Sequence, residues 1–174
     1  NPQTVKGILG MSAPLTDIFL QVKINGDLPL LQAIECLLLQ EEMKEPGTVF
    51  DHDFIQNHTE QFEAFKQHLL QQNITELLAA SGIDATDVQP AVQVLKSKKK
   101  IIACWAMGLT QHKNAVDGIK EIVNLLLLKG SIGIPGAGTC PVRGHSNVQG
   151  DRTMGIYEKP SEKFLDALAR NFHF

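Results

Sequence analysis

The chain has 174 residues, 43% of them hydrophobic, which is enough to bury one core and favours a single domain. Its formal net charge of −3 gives no electrostatic footprint for nucleic acid, and no apolar run approaches the ~20 residues that a membrane span needs. Cys36, Cys104 and Cys140 lie far apart without CxxC spacing, which favours a reducing compartment. We therefore expect a cytoplasmic protein with no nucleic-acid partner, no membrane span and no metal ligand of its own.

The N-terminal part of the chain is predicted to form a strand, a turn and a helix. The apolar segment "DIFLQVKI" (17–24) is typical of a strand, and "NGD" follows it as a turn. Asp27 is then a suitable N-cap for a helix whose apolar residues recur at i, i+3, i+4 and i+7. The run "EPG" (45–47) is predicted to end this helix.

From residue 50 to about residue 96 the pattern stays helical. Asp51 and Thr59 are the predicted N-caps of two successive helices, and "GIDATDVQPAVQVLKSKKK" (82–100) predicts a further one. We expect its last three lysines, 98–100, to be a solvated helix end rather than a binding patch.

A second strand and two more helices are predicted next. "KIIACWAMG" (100–108) is a short apolar run typical of a buried strand. Asn114 can cap the following helix, which is apolar on most sides and expected to be largely buried, and Lys129-Gly130 ends it. "PSEKFLDALARNF" predicts an amphipathic helix capped by Ser161. This alternation favours an α/β fold, a helix-rich, incomplete Rossmann-like domain with a short parallel sheet.

The segment "GAGTCPVRGHSNVQGDRTMG" (136–155) differs in composition from the rest of the chain. Residues 130–155 hold seven of the fourteen glycines and two of the three arginines, Arg143 and Arg152. Long irregular segments are usually functional or disordered, and flexible linkers rarely interleave Arg, Cys, Val and Asn. Glycine exposes backbone N–H donors and arginine pairs with phosphate in a fixed fork, so the segment suits a large anionic ligand. A flexible surface coil is the alternative.

Two other segments lie where open α/β sheets bind ligands, beyond the carboxyl ends of strands. One is "NGD" with Asp27, and the other is "WAMGLTQHKN" (105–114), in which Gly108 allows close approach and the Gln111 amide can read a polar ring. Asp27 serves equally well as a plain helix cap, and Met107 as core filler. The residues alone indicate a nucleotide-sized anionic ligand and name no reaction.

Longer stretches resemble a known family. "CWAMGLTQHKN" and "VNLLLLKGSIGIPGAGTCPVRGHSNVQGDRTMG", with "DIFLQVKINGDLPLLQAI" and "FDHDFIQNHTEQFEAFKQHL" upstream, resemble the large (alpha) subunit of molybdopterin-dependent oxidoreductases of the dimethyl sulfoxide reductase superfamily, in its formate dehydrogenase-like branch. The resemblance implies an interior fragment of a longer enzyme, one cofactor-binding domain. Within it, 1–130 would be the helix-rich α/β part, 131–155 the cofactor loop and 156–174 the C-terminal helix.

The resemblance also implies a cofactor and its contacts. Such enzymes bind bis-(molybdopterin guanine dinucleotide) with molybdenum or tungsten, usually with a 4Fe-4S cluster, and both the cluster and the metal-ligating residue would lie outside this piece. By matching positions, Arg143 would be the catalytic arginine close to the metal. The implied cofactor contacts are Asp27, Met107, Gly108, Gln111, Gly144, His145 and Asn147. A small-molecule substrate and an electron-transfer partner are implied too, and the isolated fragment is expected to be inactive.

Two positions depart from formate dehydrogenases, which have Gly where Ala106 stands and Gln where His145 stands. His145 would line the substrate pocket, where an imidazole titrates near neutrality and can take a different acid–base role. The substrate, formate or another, therefore stays open. Two alternatives remain beside the enzyme: a non-catalytic α/β binding module whose Gly-rich loop holds a nucleotide or protein partner, and a homologue that keeps the fold without the redox centre.

Overall fold

The computed structural model of the chain describes residues 5–10, 15–145, 148–156 and 158–173. Its elements, in chain order, are α1 (Val5–Ile8), α2 (Asp27–Lys44), α3 (His52–His58), α4 (Phe62–Leu70), α5 (Ile74–Ser81), α6 (Ala85–Ser97), β1 (Ile102–Trp105), α7 (Met107–Thr110), α8 (Ala115–Leu128), β2 (Gly138–Pro141), α9 (Val148–Thr153) and α10 (Glu162–Phe172). The chain divides into two compact units, Asn1–Cys140 and Pro141–Phe174. The many helices and the short parallel pair β1–β2 confirm the predicted fold class.

The core of the first unit forms around α2. This helix packs against α4, α5, α6 and α8, and it ends at Lys44, just before "EPG", as predicted. Each fully buried Leu or Ile side chain stabilises the fold by roughly 1.5–3 kcal/mol, so the apolar face of α2 is a large part of its stability. The buried apolar residues on that face are Leu30, Ala33, Ile34, Cys36, Leu38 and Leu39.

Two predicted helix caps are confirmed by hydrogen bonds. The Asp51 carboxylate accepts from the backbone N–H of Phe54 at 2.9 Å and so caps α3. The Ser161 hydroxyl accepts from the N–H of Phe164 at 3.3 Å and caps α10. Both follow from short-range chemistry, since a side-chain oxygen satisfies an N–H that the first helical turn leaves free.

Of the other three predicted caps, Asn114 takes the N-cap position of α8 without a side-chain hydrogen bond, and two are wrong. Gly26, without a side chain, takes the N-cap position of α2, and Asp27 is the first helical residue, where its charge favours the positive helix end. Thr59 does not start α4, which begins at Phe62. The Thr59 hydroxyl instead donates to the Ile55 carbonyl at 2.7 Å and closes the end of α3.

The strand predicted at residues 17–24 is also wrong. Residues 17–24 contain no strand in the structure, and their one long-range backbone bond within the described part of the chain runs from the Lys23 N–H to the Ser81 carbonyl, at 3.0 Å. Leu20 and Val22 still pack against the core. The apolar residues of this segment therefore pack against the core as expected. The segment forms no strand because no partner strand pairs with it among the described residues.

The second predicted strand is confirmed as β1, but it is not buried. Ile102 is 57% exposed and Cys104 is exposed, because β2 is its single strand neighbour among the described residues. The helix α8 ends at Lys129-Gly130 as expected, yet it buries one side only, and Val116 is 68% exposed. Part of the segment expected to be irregular forms β2 and α9.

The packing of α2 against α8 buries two carboxyl groups. Glu35 on α2 is fully buried, and Glu121 on α8 is 9% exposed. The Glu121 oxygens accept amide N–H groups from Gln32 and Asn124, each at 2.9 Å. Among the described residues neither Glu35 oxygen has a hydrogen-bond partner. Burial first, and then the nearby Glu121 carboxylate, raise the pKa of Glu35 well above its ordinary value.

The turn before α2 makes a direct stability prediction. A Cβ added at Gly26 would lie 2.9 Å from the Lys23 and Ser81 carbonyl oxygens and from Val22 Cγ1. We expect Gly26→Ala to lower the free energy of unfolding by about 1–3 kcal/mol through overpacking, as measured by urea denaturation. Gly118→Ala is the matched control, because its Cβ meets no atom within 4 Å and alanine favours a helix by about 0.5–1 kcal/mol. A Gly26→Ala protein as stable as the Gly118→Ala protein would contradict this.

Candidate functional site

The Asp27 turn lies beside the segment that follows β1. Residues from both line a small cavity of about 10 Å³. These residues are Asn25, Asp27 and Leu28 on one side and Leu109, His112, Asn114, Ala115 and Gly118 on the other. Two of the three segments predicted to face a ligand are thus neighbours, although the Asp27 turn does not follow a strand.

The geometry of the turn places the Asp27 carboxyl at this edge. Asn25 has a positive φ of 64°, and the Gly26 N–H donates to the Lys23 carbonyl at 2.8 Å. Asp27 then begins α2 half-buried. A carboxylate there can accept N–H donors of a ligand without leaving the field of the helix N-terminus.

The segment after β1 forms the short helix α7 and is open to solvent. The Gln111 backbone N–H donates to the Met107 carbonyl at 3.0 Å, and the Gln111 amide lies 3.9 Å from the Met107 sulfur. Met107 is 43% exposed, so it is not core filler. A Cβ added at Gly108 would meet nothing within 4 Å. This face is therefore accessible to a ligand.

The second unit carries Arg143, Gly144 and His145, all exposed. Arg143 Nη1 donates to the Gln149 side-chain oxygen at 2.9 Å, which engages one of the five N–H donors of a guanidinium. Asn147, another predicted contact, lies outside the described residues. The remaining arginine of the loop, Arg152, forms an ion pair with Glu158 at 3.2 Å.

A much larger cavity lies before β1, away from the predicted residues. It has a volume of about 630 Å³. Its lining is Gly47, Thr48, Val49, Phe50, Asp51, His52, Asp53, Gln93, Lys96, Ser97, Lys99 and Lys129. The sequence patterns do not predict this cavity. Lys99, one of the three lysines expected to form a solvated helix end, is part of its lining.

Two of the three lysines that line this large cavity are already engaged by neighbouring groups. Lys96 pairs with Glu41 at 2.7 Å. Lys129 is buried and donates to the carbonyls of Val49 and Lys96 at 2.7 and 3.2 Å, and burial lowers its pKa. With two aspartates also in the lining, the cavity favours no one ligand charge, and the Asp27 edge is the better candidate site.

Three relatives illustrate the similarity to known proteins. The chain is 47% identical over 172 residues to an uncharacterised oxidoreductase of Mycobacterium tuberculosis H37Rv, covering 99% of the chain and 22% of the relative. It is 36% identical over 191 residues to protein YdeP of Escherichia coli K12, covering 100% and 25%. It is 28% identical over 144 residues to formate dehydrogenase H of Escherichia coli K12, covering 83% and 19%. Of these three relatives, the two whose names state a type of reaction are oxidoreductases.

The chain spans about a quarter or less of the length of these relatives. No family model matches it. In the part of the chain that the structure describes, no helix is long and apolar enough to cross a membrane. The same described residues contain no group of three His, Cys, Asp or Glu side chains placed to hold a metal ion.

Proposed function

We propose that this chain is part of a formate dehydrogenase-like molybdopterin oxidoreductase and contributes one wall of its cofactor site. The observation that carries the proposal is that the Asp27 turn lines one small cavity together with Leu109 of the segment after β1 and the start of α8, at an edge of the first unit. Alignments with other proteins also support the proposal. They cover 99% of the chain for the mycobacterial oxidoreductase and 83% for formate dehydrogenase H.

The described residues fit a large, anionic, purine-containing group. Asp27 offers a half-buried carboxylate for the guanine N–H groups, and Gln111 offers an exposed amide. Gly136 has a φ of +82°, a backbone conformation that glycine adopts most readily, and it lies in the Gly-rich segment whose backbone N–H groups suit an anion. Gly108 leaves room for close approach. When bound, bis-(molybdopterin guanine dinucleotide) would supply a two-electron redox centre at molybdenum or tungsten.

Arg143 would act on the substrate side of that group, and Gly144, His145 and Asn147, which follow it in the sequence, are proposed as further contacts. Met107 is a proposed contact from the first unit. The Arg143 guanidinium is a planar cation that presents a fork of N–H donors to an anion. A fixed cation there would hold an anionic substrate and offset charge that develops during electron transfer. A 4Fe-4S cluster, the metal ligand and an electron-transfer partner would belong to the longer protein.

Cofactor content tests the proposal directly. We expect the full-length natural protein to purify with molybdenum or tungsten, by elemental analysis, and with pterin, by fluorescence after oxidation. We expect Asp27→Ala to lower its pterin content about tenfold, because a charge-assisted hydrogen bond to a ligand contributes about 1.5–3 kcal/mol.

Asp53→Ala is the matched control, since Asp53 is also an acid in the first turn of a helix but lines the other cavity. A full-length protein that is active yet free of metal and pterin would refute the proposal and favour the non-catalytic module or another cofactor.

A further inference from the structure

The two strands of the sheet place two cysteines opposite each other. The strands are parallel, and the Gly138 N–H donates to the Ile101 carbonyl at 2.9 Å. In a parallel pair this bond sets Gly138 opposite Ile102, so Cys140 lies opposite Cys104. The two side chains are close enough for the Cys140 thiol to raise the pKa of Cys104. This proximity is invisible in the spacing of the cysteines along the chain.

Both thiols are exposed, whereas the third cysteine, Cys36, is buried. Neighbouring strands lie about 4.8 Å apart, which falls within the roughly 4.4–6.8 Å between the Cα atoms of a disulfide. Burial and the charges of Glu35 and Glu121 raise the pKa of Cys36 to about 11, so Cys36 stays an unreactive thiol at neutral pH. The chain thus contains one exposed pair and an internal control.

We propose that Cys104 and Cys140 form a reversible disulfide, a redox modification site on the β1–β2 sheet. The oxidant is a low-molecular-weight disulfide. One cysteine thiolate attacks it and expels one small thiolate, leaving a mixed disulfide on the protein. The other cysteine thiolate attacks the protein sulfur of that mixed disulfide and expels the second small thiolate. The two cysteines lose two protons and two electrons, and the oxidant becomes two small thiols.

The bond is expected to be labile. Exposed disulfides and disulfides strained by strand geometry have higher reduction potentials than structural ones and are readily reversed. Partial desolvation by its neighbours, and then the adjacent Cys140 thiol, raise the pKa of Cys104, so cross-linking should speed up as pH rises and more thiolate forms. Cys104 lies three residues before Met107, and Cys140 three before Arg143. The cross-link would therefore join the chain just before Met107 to the chain just before Arg143. The disulfide proposal does not depend on the function of either residue.

Mass spectrometry of the 174-residue chain tests this proposal. The chain is incubated in graded ratios of oxidised to reduced glutathione, quenched with acid and alkylated. We expect a species lighter by two hydrogens, with one alkylated thiol at Cys36 and a cross-linked peptide pair that contains Cys104 and Cys140. Dithiothreitol should restore three alkylatable thiols.

Serine variants separate the pair from its surroundings. Cys104→Ser and Cys140→Ser should each lose the cross-link and retain one glutathione on the remaining exposed cysteine, whereas Cys36→Ser should still cross-link. The decisive result comes from the wild-type chain and so does not depend on whether a variant folds. The proposal is overturned if that chain accumulates glutathione on both exposed cysteines without a cross-link. It is equally overturned if three free thiols persist at every ratio.

Discussion

Replacing Arg143 by alanine in the full-length protein is expected to lower turnover about 10²–10³-fold, the usual effect of removing one preorganised charge-stabilising donor from an active site. Formate with a viologen dye as electron acceptor is the first assay pair, because the relatives include formate dehydrogenase H. The pterin content should stay near that of the wild type, since Arg143 is proposed to act on the substrate. Arg143→Lys should recover part of the loss by keeping the charge without the planar fork.

Arg152→Ala is the matched control for this experiment. Arg152 lies in the same Gly-rich segment and forms an exposed ion pair with Glu158, which contributes about 0–1 kcal/mol to stability. We expect its turnover to equal that of the wild type. If Arg143→Ala turns over unchanged, Arg143 has no catalytic role, and if both variants lose activity together with pterin, the segment serves only to hold the cofactor.

Local chemistry could be predicted from the sequence, and pairing at a distance could not. The end of α2 before "EPG" and the caps at Asp51 and Ser161 follow from neighbours within four residues. The Thr59 hydroxyl lies between two helices and could cap the start of α4 or bond to the end of α3. It donates to the Ile55 carbonyl, so the prediction that it caps α4 is wrong. The segment 17–24 has a strand-like pattern, but a strand is defined by a partner that residue patterns do not name.

The candidate site shows the same division. The expectation that Asp27 lies beside the segment after β1 rests on a strand at 17–24 that does not form, and the two are nevertheless neighbours, because both line one small cavity. That Leu109 and Gly118 complete the cavity depends on how α8 sits against α2, which the sequence alone does not give. The pairing of Cys104 with Cys140 likewise depends on strand register.

The contact between α2 and α8 is also where the second large effect is expected. An ionised carboxylate buried without donors costs several kcal/mol, so Glu35, which has no hydrogen-bond partner among the described residues, keeps its proton beside the Glu121 carboxylate. Glu121 is the titratable side chain that raises the pKa of Glu35. The nearby Cys36 thiol is a neutral group at neutral pH.

The sign of the pH dependence follows from the direction of this shift. The pKa of Glu35 is higher in the folded chain than in the unfolded chain, where it is about 4.3. The folded state therefore binds more protons than the unfolded state between these two values. The stability that Glu35 contributes is fully present below the unfolded pKa and is lost as pH rises through the folded pKa.

Glu35→Gln removes the ionisation and keeps the shape and a donor toward Glu121. We expect its free energy of unfolding to exceed that of the wild type by about 1–3 kcal/mol at alkaline pH, the cost of an unsatisfied buried polar group, and the difference to shrink or reverse in acid. Urea denaturation across the pH range measures this, and carboxyl ¹³C shifts of labelled glutamate follow the proton itself.

Glu63→Gln is the control for the change of charge, because Glu63 is an exposed acid on α4. Its unfolding curve should shift by no more than about 0.5 kcal/mol at any pH. A wild-type minus Glu35→Gln difference that is flat with pH would mean that Glu35 is ionised in the folded chain. The α2–α8 contact would then have to open enough for water to reach the carboxylate, and the cavity beside Asp27 would open with it.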